Sequence, residues 1–481
     1  MARSEGRAGG RHRGATRALV TCLLVITAGC GARWSNAQRS EVLARGQGSS
    51  GTAARASTGS TASSSGGGGG GATGIGSTAS GTESSSGGGA TSGGGGATGA
   101  SGVSVAAATG PLPCSAPSDA PGVTNDTITV GNISTLSGPV PGLGASAVGA
   151  TRAYVAYLNA NGGVCGRKVV MKSADDGDDN GVFRSTLVQM EPNVLGLVGE
   201  DGGGDAGGAD VATAKNIPVI AAAFSTQFQD APTVFDINPP YRDTSQSSGK
   251  YRWLKSQGAN TAALVYIAVD QSRDQMLNTE KPLMEAAGIQ VVSEQALPLS
   301  TLNYDSAARS VANAHPDYMI FLGGYEENSG MATSMAGTGY KPKFADYYTT
   351  YGTNFIQQAG SAAEGAVSFS FALPVEDGGV NPEQAKFLQW MQTTSSDVAM
   401  DVFAFEAWAS SKAFFDALQQ IPGPISRQAL IDQIHTFTSY DAGGFFGRID
   451  LANENDFGCE VGMQVVNGKW QRLVPDQGFL C

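Results

Sequence analysis

The chain is poor in the residues that metal and acid–base chemistry need. Its 481 residues include three histidines, His12, His315 and His435, far apart, and no Cys-x-x-Cys pair. No metal site, no cofactor site and no Ser/His/Asp triad is expected from so sparse a set. The patterns G-x-S-x-G and H-E-x-x-H are also missing, so no catalytic residue is assigned and only a carboxylate-based hydrolase stays open. Positive charge is scarce: 30 Lys plus Arg stand against 42 Asp plus Glu, a net charge of −12. Such a surface repels nucleic acid and anionic lipid, and no nucleic-acid partner is expected. Long apolar runs are lacking too. The longest early one, Ala18 to Ala28, is too short for a stable transmembrane helix.

That run nevertheless has flanks with a meaning. Arg3, Arg7, Arg11, Arg13 and Arg17 precede it, and it ends in Thr27-Ala28-Gly29-Cys30. A basic stretch, an apolar stretch and small residues form a secretory signal. Small residues directly before Cys30 resemble a bacterial lipobox, which implies a lipid on Cys30 and a signal spanning residues 1–30. An ordinary cleaved signal is the alternative, and Thr27 departs from the lipobox pattern. Loss of the five arginines and Glu5 with the signal leaves 25 basic against 41 acidic residues, net −16.

Glycine is abundant, with 68 residues, and concentrated between Gly48 and Gly110 among Ser, Thr and Ala. That composition buries too little apolar surface to offset chain entropy, so residues 31–125 are expected to be a disordered linker. Its Gly-rich part would span roughly 40 to 50 Å. Four cysteines follow the signal: Cys114, Cys165, Cys459 and Cys481. They allow three pairings. Pairing 114 with 165 and 459 with 481 closes the shortest loops and suits an oxidising compartment.

From Thr127 short apolar runs alternate with helical patterns. Strands are predicted at 128–131, 169–173, 194–199, 218–223, 262–269, 290–295, 318–323, 344–348 and 366–370. This alternation is the mark of doubly wound parallel α/β sheets, and its length suits two lobes. Near the end, Asn467-Gly468 between two β-rich arms predicts a hairpin. Asp401 to Leu418 reads as a long amphipathic helix. Asp176 to Gly181 begins like a calcium loop, but Leu187 stands where the bidentate Glu belongs; a polar turn capping a helix is expected instead. The run Gly199 to Gly208 carries Glu200, Asp201 and Asp205, which oppose a phosphate.

Leu136-Ser137-Gly138-Pro139, then a helix, then Asn159-x-x-Gly162-Gly163-x-x-Gly166-x-x-Val169 and the doubled Asp175-Asp176 form a combination that resembles type I solute-binding proteins of ABC transporters, in the leucine/isoleucine/valine-binding family. The resemblance covers about 350 residues. It implies two Rossmann-like lobes joined by a three-segment hinge, with a ligand cleft between them. The implied lobes are 126–243 plus 372–444 and 244–371 plus 445–481, with crossings near Arg242 to Ser245, Ala372 and Gly444.

The resemblance also implies a site. Main-chain amides of Gly203 and Gly204, the main chain at Ala223 and Phe224, and the hydroxyl of Ser225 or Thr226 would hold a carboxylate or polar group. Tyr325 occupies the aromatic position that contacts the amine in amino-acid binders. Tyr348 falls where the family has an acid for the ammonium group; Asp346, on the same strand face, is the substitute at hand. Leu143 takes the place of an aromatic wall. The expected function is an exported, lipid-anchored, monomeric solute receptor on the outer face of the membrane. It would work with ABC permease subunits and capture a small polar or amphipathic solute: an amino acid, an amide or a small carboxylate. A ligand-sensing lipoprotein that signals through a membrane partner is the alternative, and an exported hydrolase the least supported reading.

Overall fold

The computed structural model describes residues 114, 116–139, 142–238, 249–453, 455–456 and 458–481. The expected signal, Cys30 and the Gly-rich linker as far as residue 113 lie outside the described residues. The linker boundary needs a correction, however. Cys114 is fully buried, Ala120 and Val123 are buried, and Ser118 Oγ donates to the Ile425 carbonyl at 2.6 Å. The cause is covalent and polar together: Cys114 is bonded to Cys165, and the Arg167 guanidinium donates to the carbonyls of Cys114 and Ala116. The folded region therefore includes Cys114 and residues 116–125, ahead of the expected boundary at 126.

The first sheet has five parallel strands: β1 Thr127–Ser134, β2 Lys168–Asp175, β3 Leu197–Val198, β4 Val219–Ala221 and β5 Val234–Asp236, in the order β2-β1-β3-β4-β5. The second contains β6 Thr261–Ile267, β7 Gln290–Leu297, β8 Tyr318–Leu322, β9 Phe344–Tyr347 and β10 Ala366–Ser370. These parallel strands repeat the same order, β7-β6-β8-β9-β10. A short ribbon, β11 Ile449–Asp450 with β12 Asn455–Asp456, follows. The hairpin β13 Val461–Val466 and β14 Lys469–Val474 then adds antiparallel strands beside β10. Its turn is the expected one, with Asn467 at φ 53° and Gly468 at φ 71°, the left-handed pair that a two-residue hairpin requires. The fold is thus the two-lobe α/β architecture expected.

Burial explains the strands. Every residue of β6 but the first, and every residue of β8 and β10, is buried, as expected for sheets covered on both faces. On the first sheet, α1 Ala145–Ala160 packs against α4 Pro382–Thr394 and α5 Val402–Gln420, helices that come from far along the chain. Two further helices, α2 Asn180–Met190 and α3 Tyr325–Thr338, start directly behind the site described below. The turn before α2 behaves as expected: Asp179 caps it by accepting from the Gly181 and Val182 amides.

Two of the three expected crossings lie side by side. Ala372 bridges Phe446 in antiparallel fashion; the Leu373 amide donates to Phe445 and the Gly447 amide to Phe371. The crossing near Arg242 to Ser245 lies outside the described residues. Cys459 is bonded to Cys481, so both bridges follow the shortest-loop pairing. No helix among the described residues is long and apolar enough to cross a membrane.

Candidate functional site

A cleft of about 200 Å³, open at its mouth, lies where the carboxyl ends of both sheets meet. Open α/β sheets place ligands at such ends, where the strand order reverses on either side of β1 or β6. The first sheet contributes Leu143, Asp178, Gly203, Ala222, Phe224 and Asn238; α5 adds Val402, Phe403 and Glu406. From the second sheet come Ile267 and Val269 after β6, Leu322 to Gly324 after β8, Tyr348 and Thr349 after β9, and Phe369 and Phe371 around the end of β10. Gln271 Nε2 reaches across to the Gly203 carbonyl at 3.5 Å.

Of the sequence-predicted residues, Leu143, Gly203, Phe224 and Tyr348 line this cleft. Gly204, Ala223, Ser225 and Tyr325 stand behind its wall. The expected free amides are engaged. The Gly203 amide donates to Thr135 Oγ1 at 2.9 Å and that of Gly204 to Asp176 Oδ2 at 2.9 Å. Asp205 Oδ2 receives the amides of Phe224, at 2.6 Å, and Ser225, at 3.2 Å. The Ala223 amide donates to Asp236 Oδ1, and Ser225 Oγ caps the following helix through the Phe228 amide. The glycine run also has a steric reason. A Cβ on Gly204 would lie 2.6 Å from the Asp179 carbonyl oxygen, closer than side chains tolerate.

Tyr325 begins α3 and turns its ring edge-on to Phe403, 6.4 Å between centroids. Its phenol lies beside Asp401, whose carboxylate caps α5 through the Ala404 amide. It is therefore a buttress to the wall, and Phe403 is the ring that meets the cleft. Asp346 is also turned away: fully buried, it accepts from the Tyr318 phenol at 2.6 Å.

Behind Tyr348 the cleft extends into a chamber that the sequence did not reveal. Lys250, Tyr251, Thr279, Glu280, Leu283 and Glu460 line it. Lys250 Nζ lies 3.4 Å from both Glu280 Oε2 and Glu460 Oε1 and 5.4 Å from the Tyr348 ring centre. The Tyr251 phenol hydrogen-bonds Glu280. Burial opposes the charge on Lys250, but Glu280, Glu460 and Asp346 outweigh it and raise its pKa. Burial pushes Glu460 up to about 7 and Asp346 to about 6, Lys250 pulling both back. Residues 275–280 form a π-helical turn, a local widening found at functional sites, which presents Gln275, Thr279 and Glu280. Glu280 and Glu460 lie 30 and 210 residues along the chain from Lys250, so no local pattern announces them.

Among the described residues, the buried carboxylates of the first lobe have no buried cation beside them. Glu200, Asp201, Asp205 and Asp236 are buried. Burial, together with neighbouring carboxylates, raises Glu200 and Asp201 well above the ordinary range. Asp205 is pushed up to about 7 by burial, against hydrogen bonds that lower it, and Asp178 to about 6 by burial and Asp176. On the opposite wall Glu406 is raised by burial despite a hydrogen bond with Asn238.

Two α/β lobes around a lined cleft define a binding protein that encloses a small molecule. The chain belongs to the periplasmic binding protein family, whose sequence profile matches residues 127–469. A Leu/Ile/Val-binding protein homolog 7 of Brucella abortus (strain 2308) is 24% identical over 370 residues, covering 73% of this chain and 92% of the relative. Among solved structures, the fatty acid ABC transporter substrate-binding protein from Thermomonospora curvata superposes with a TM-score of 0.64 at 18% identity, over 75% of this chain and 94% of that one. A leucine binding protein from Thermotoga maritima MSB8 gives 0.61 at 16% identity, over 72% and 98%.

Proposed function

We propose that the chain is the solute-capturing component of an ABC importer, exported, anchored through a lipid on Cys30 and acting as a monomer that hands its cargo to permease subunits. The observation that carries this reading is the cleft between two sheets of the same strand order. It is walled by Leu143, Phe224, Phe403, Ile267, Leu322 and Phe369. Apolar walls with a few convergent polar groups are the usual composition of a small-molecule site. Lobes at 126–243 plus 372–444 and 244–371 plus 445–481 would close on the solute. Closure stabilised by binding would then create the surface a permease recognises. No bond is made or broken in this scheme, as in the binding proteins the chain is similar to.

The test is a thermal-shift screen followed by reconstitution with a permease in liposomes. A ligand that raises the melting point and also stimulates ATP hydrolysis supports an importer component. Binding without stimulation or uptake would favour the sensing alternative. Turnover of the bound solute would overturn both.

A further inference from the structure

The polarity of the cleft is opposite to what a carboxylate ligand needs. Five amides that could have held an anion, those of Gly203, Gly204, Ala223, Phe224 and Ser225, are all directed at the protein's own oxygen acceptors. Acceptors are left over instead. Among the described residues, Asn238 on the cleft wall keeps Oδ1 without a partner, and behind the wall Glu200, Asp201 and Asp205 Oδ1 also lack one. Thr279, 4% exposed and on the cleft wall, has a hydroxyl with no partner. Among the described residues that line the cleft, five carry a carboxylate, Asp178, Glu280, Glu327, Glu406 and Glu460, and one an ammonium, Lys250. That ammonium is already matched by Glu280 and Glu460. Aromatic faces complete the set, with Phe224 and Phe403 6.5 Å apart on one wall and Tyr348 on the other. Carboxylates beside aromatic faces are the surroundings that an ammonium group seeks. An anion entering the same space would meet like charge and lose its hydration without compensation.

Resting on the reading of the chain as a solute receptor, we infer that the cleft takes a cationic amphiphile, an ammonium group carried on an apolar or aryl body, and refuses carboxylates and zwitterionic amino acids. Glu406, at the start of α5 and facing Asn238, is the charge partner at the wall. Leu143, Phe224 and Phe403 sheath the apolar body.

Three probes share one body and differ in charge: 2-phenylethylamine, 3-phenylpropionate and L-phenylalanine. Only the amine is expected to raise the melting point of the folded chain, by about 2 °C at ten times its dissociation constant. Glu406→Gln, which keeps shape and hydrogen bonding, should weaken the amine about tenfold while the unliganded melting point stays within a degree or so. A shift from the carboxylate or the zwitterion without one from the amine overturns the inference and leaves the receptor reading intact. An amine bound equally well by Glu406→Gln overturns the assignment of the charge partner. No shift from any of the three overturns the inference and counts against the receptor reading as well.

Discussion

The two lobes bury acids in opposite ways. In the second, Glu280, Glu460 and Asp346 gather around Lys250, and the Tyr251 and Tyr318 phenols complete the shell. In the first, Asp176, Asp205 and Asp236 are met by backbone amides, while the carboxylates of Glu200 and Asp201 have no hydrogen-bond partner among the described residues. Burying an unpaired charge is far more costly than burying a paired one. The first lobe therefore meets that cost by holding protons, and the second by holding a cation. One lobe should respond to pH and the other to the loss of a single side chain.

The largest effect expected is that of Lys250→Met. It leaves three acids buried without their cation and should cost about 3–5 kcal/mol in denaturant unfolding. A loss below 1 kcal/mol would mean that the acids are protonated with Lys250 in place, and the contrast between lobes would disappear. Asp205→Ala comes next. Removal of the acceptor for the Phe224 and Ser225 amides should cost about 1–3 kcal/mol, read from the same curves, and free two amides beside the cleft. A gain of binding for 3-phenylpropionate in this variant would sharpen the link between occupied amides and exclusion of anions.

The pH response of the first lobe follows from Asp205, near 7 when folded, and Asp178, near 6, against ordinary carboxylate values near 4. Each keeps its proton in the folded chain at pH values where the unfolded chain releases it. The stability so lent is complete below pH 4 and is lost as the pH rises through 6 and 7. The unfolding free energy of the unliganded chain should fall between pH 5 and pH 8, by about 1.4 kcal/mol per pH unit for each such group at the steepest, and its melting point with it. A melting point that rises across that interval would sink the proton-holding account of the first lobe. The smallest effect is reserved for Gln271→Ala. Its single bond across the cleft, to the Gly203 carbonyl, is worth about 1 kcal/mol, so ligand should leave roughly five times faster with no change in melting point.

Much of the fold was legible because burial on two faces writes itself as short apolar runs. All nine predicted strands exist, and the Asn467-Gly468 turn and the Asp401-capped helix fall where expected. Three-residue β5, Val234–Asp236, was missed since so short a strand has no periodicity and is stabilised only by pairing with β4. The site was legible where strand ends determine it, hence Leu143, Gly203, Phe224 and Tyr348. It was not legible where occupancy matters: a glycine run tells of available amides, but not that Asp176 and Asp205 are folded back upon them. Tyr325 stands behind the cleft wall for a related reason. A helix starts at Tyr325, and its ring is drawn inward against Phe403. The Lys250 chamber arises from contacts between distant segments, which no window along the chain contains.

Side by side, the chain segments at Ala372 and Phe446 form a small ribbon laced in both directions. Such a ribbon twists easily but resists shearing, so the halves of the molecule should swing about one axis like a door rather than slide over each other. A spin label placed on each rim would then report a single coordinated distance change on loading, and its size would measure how far the door travels.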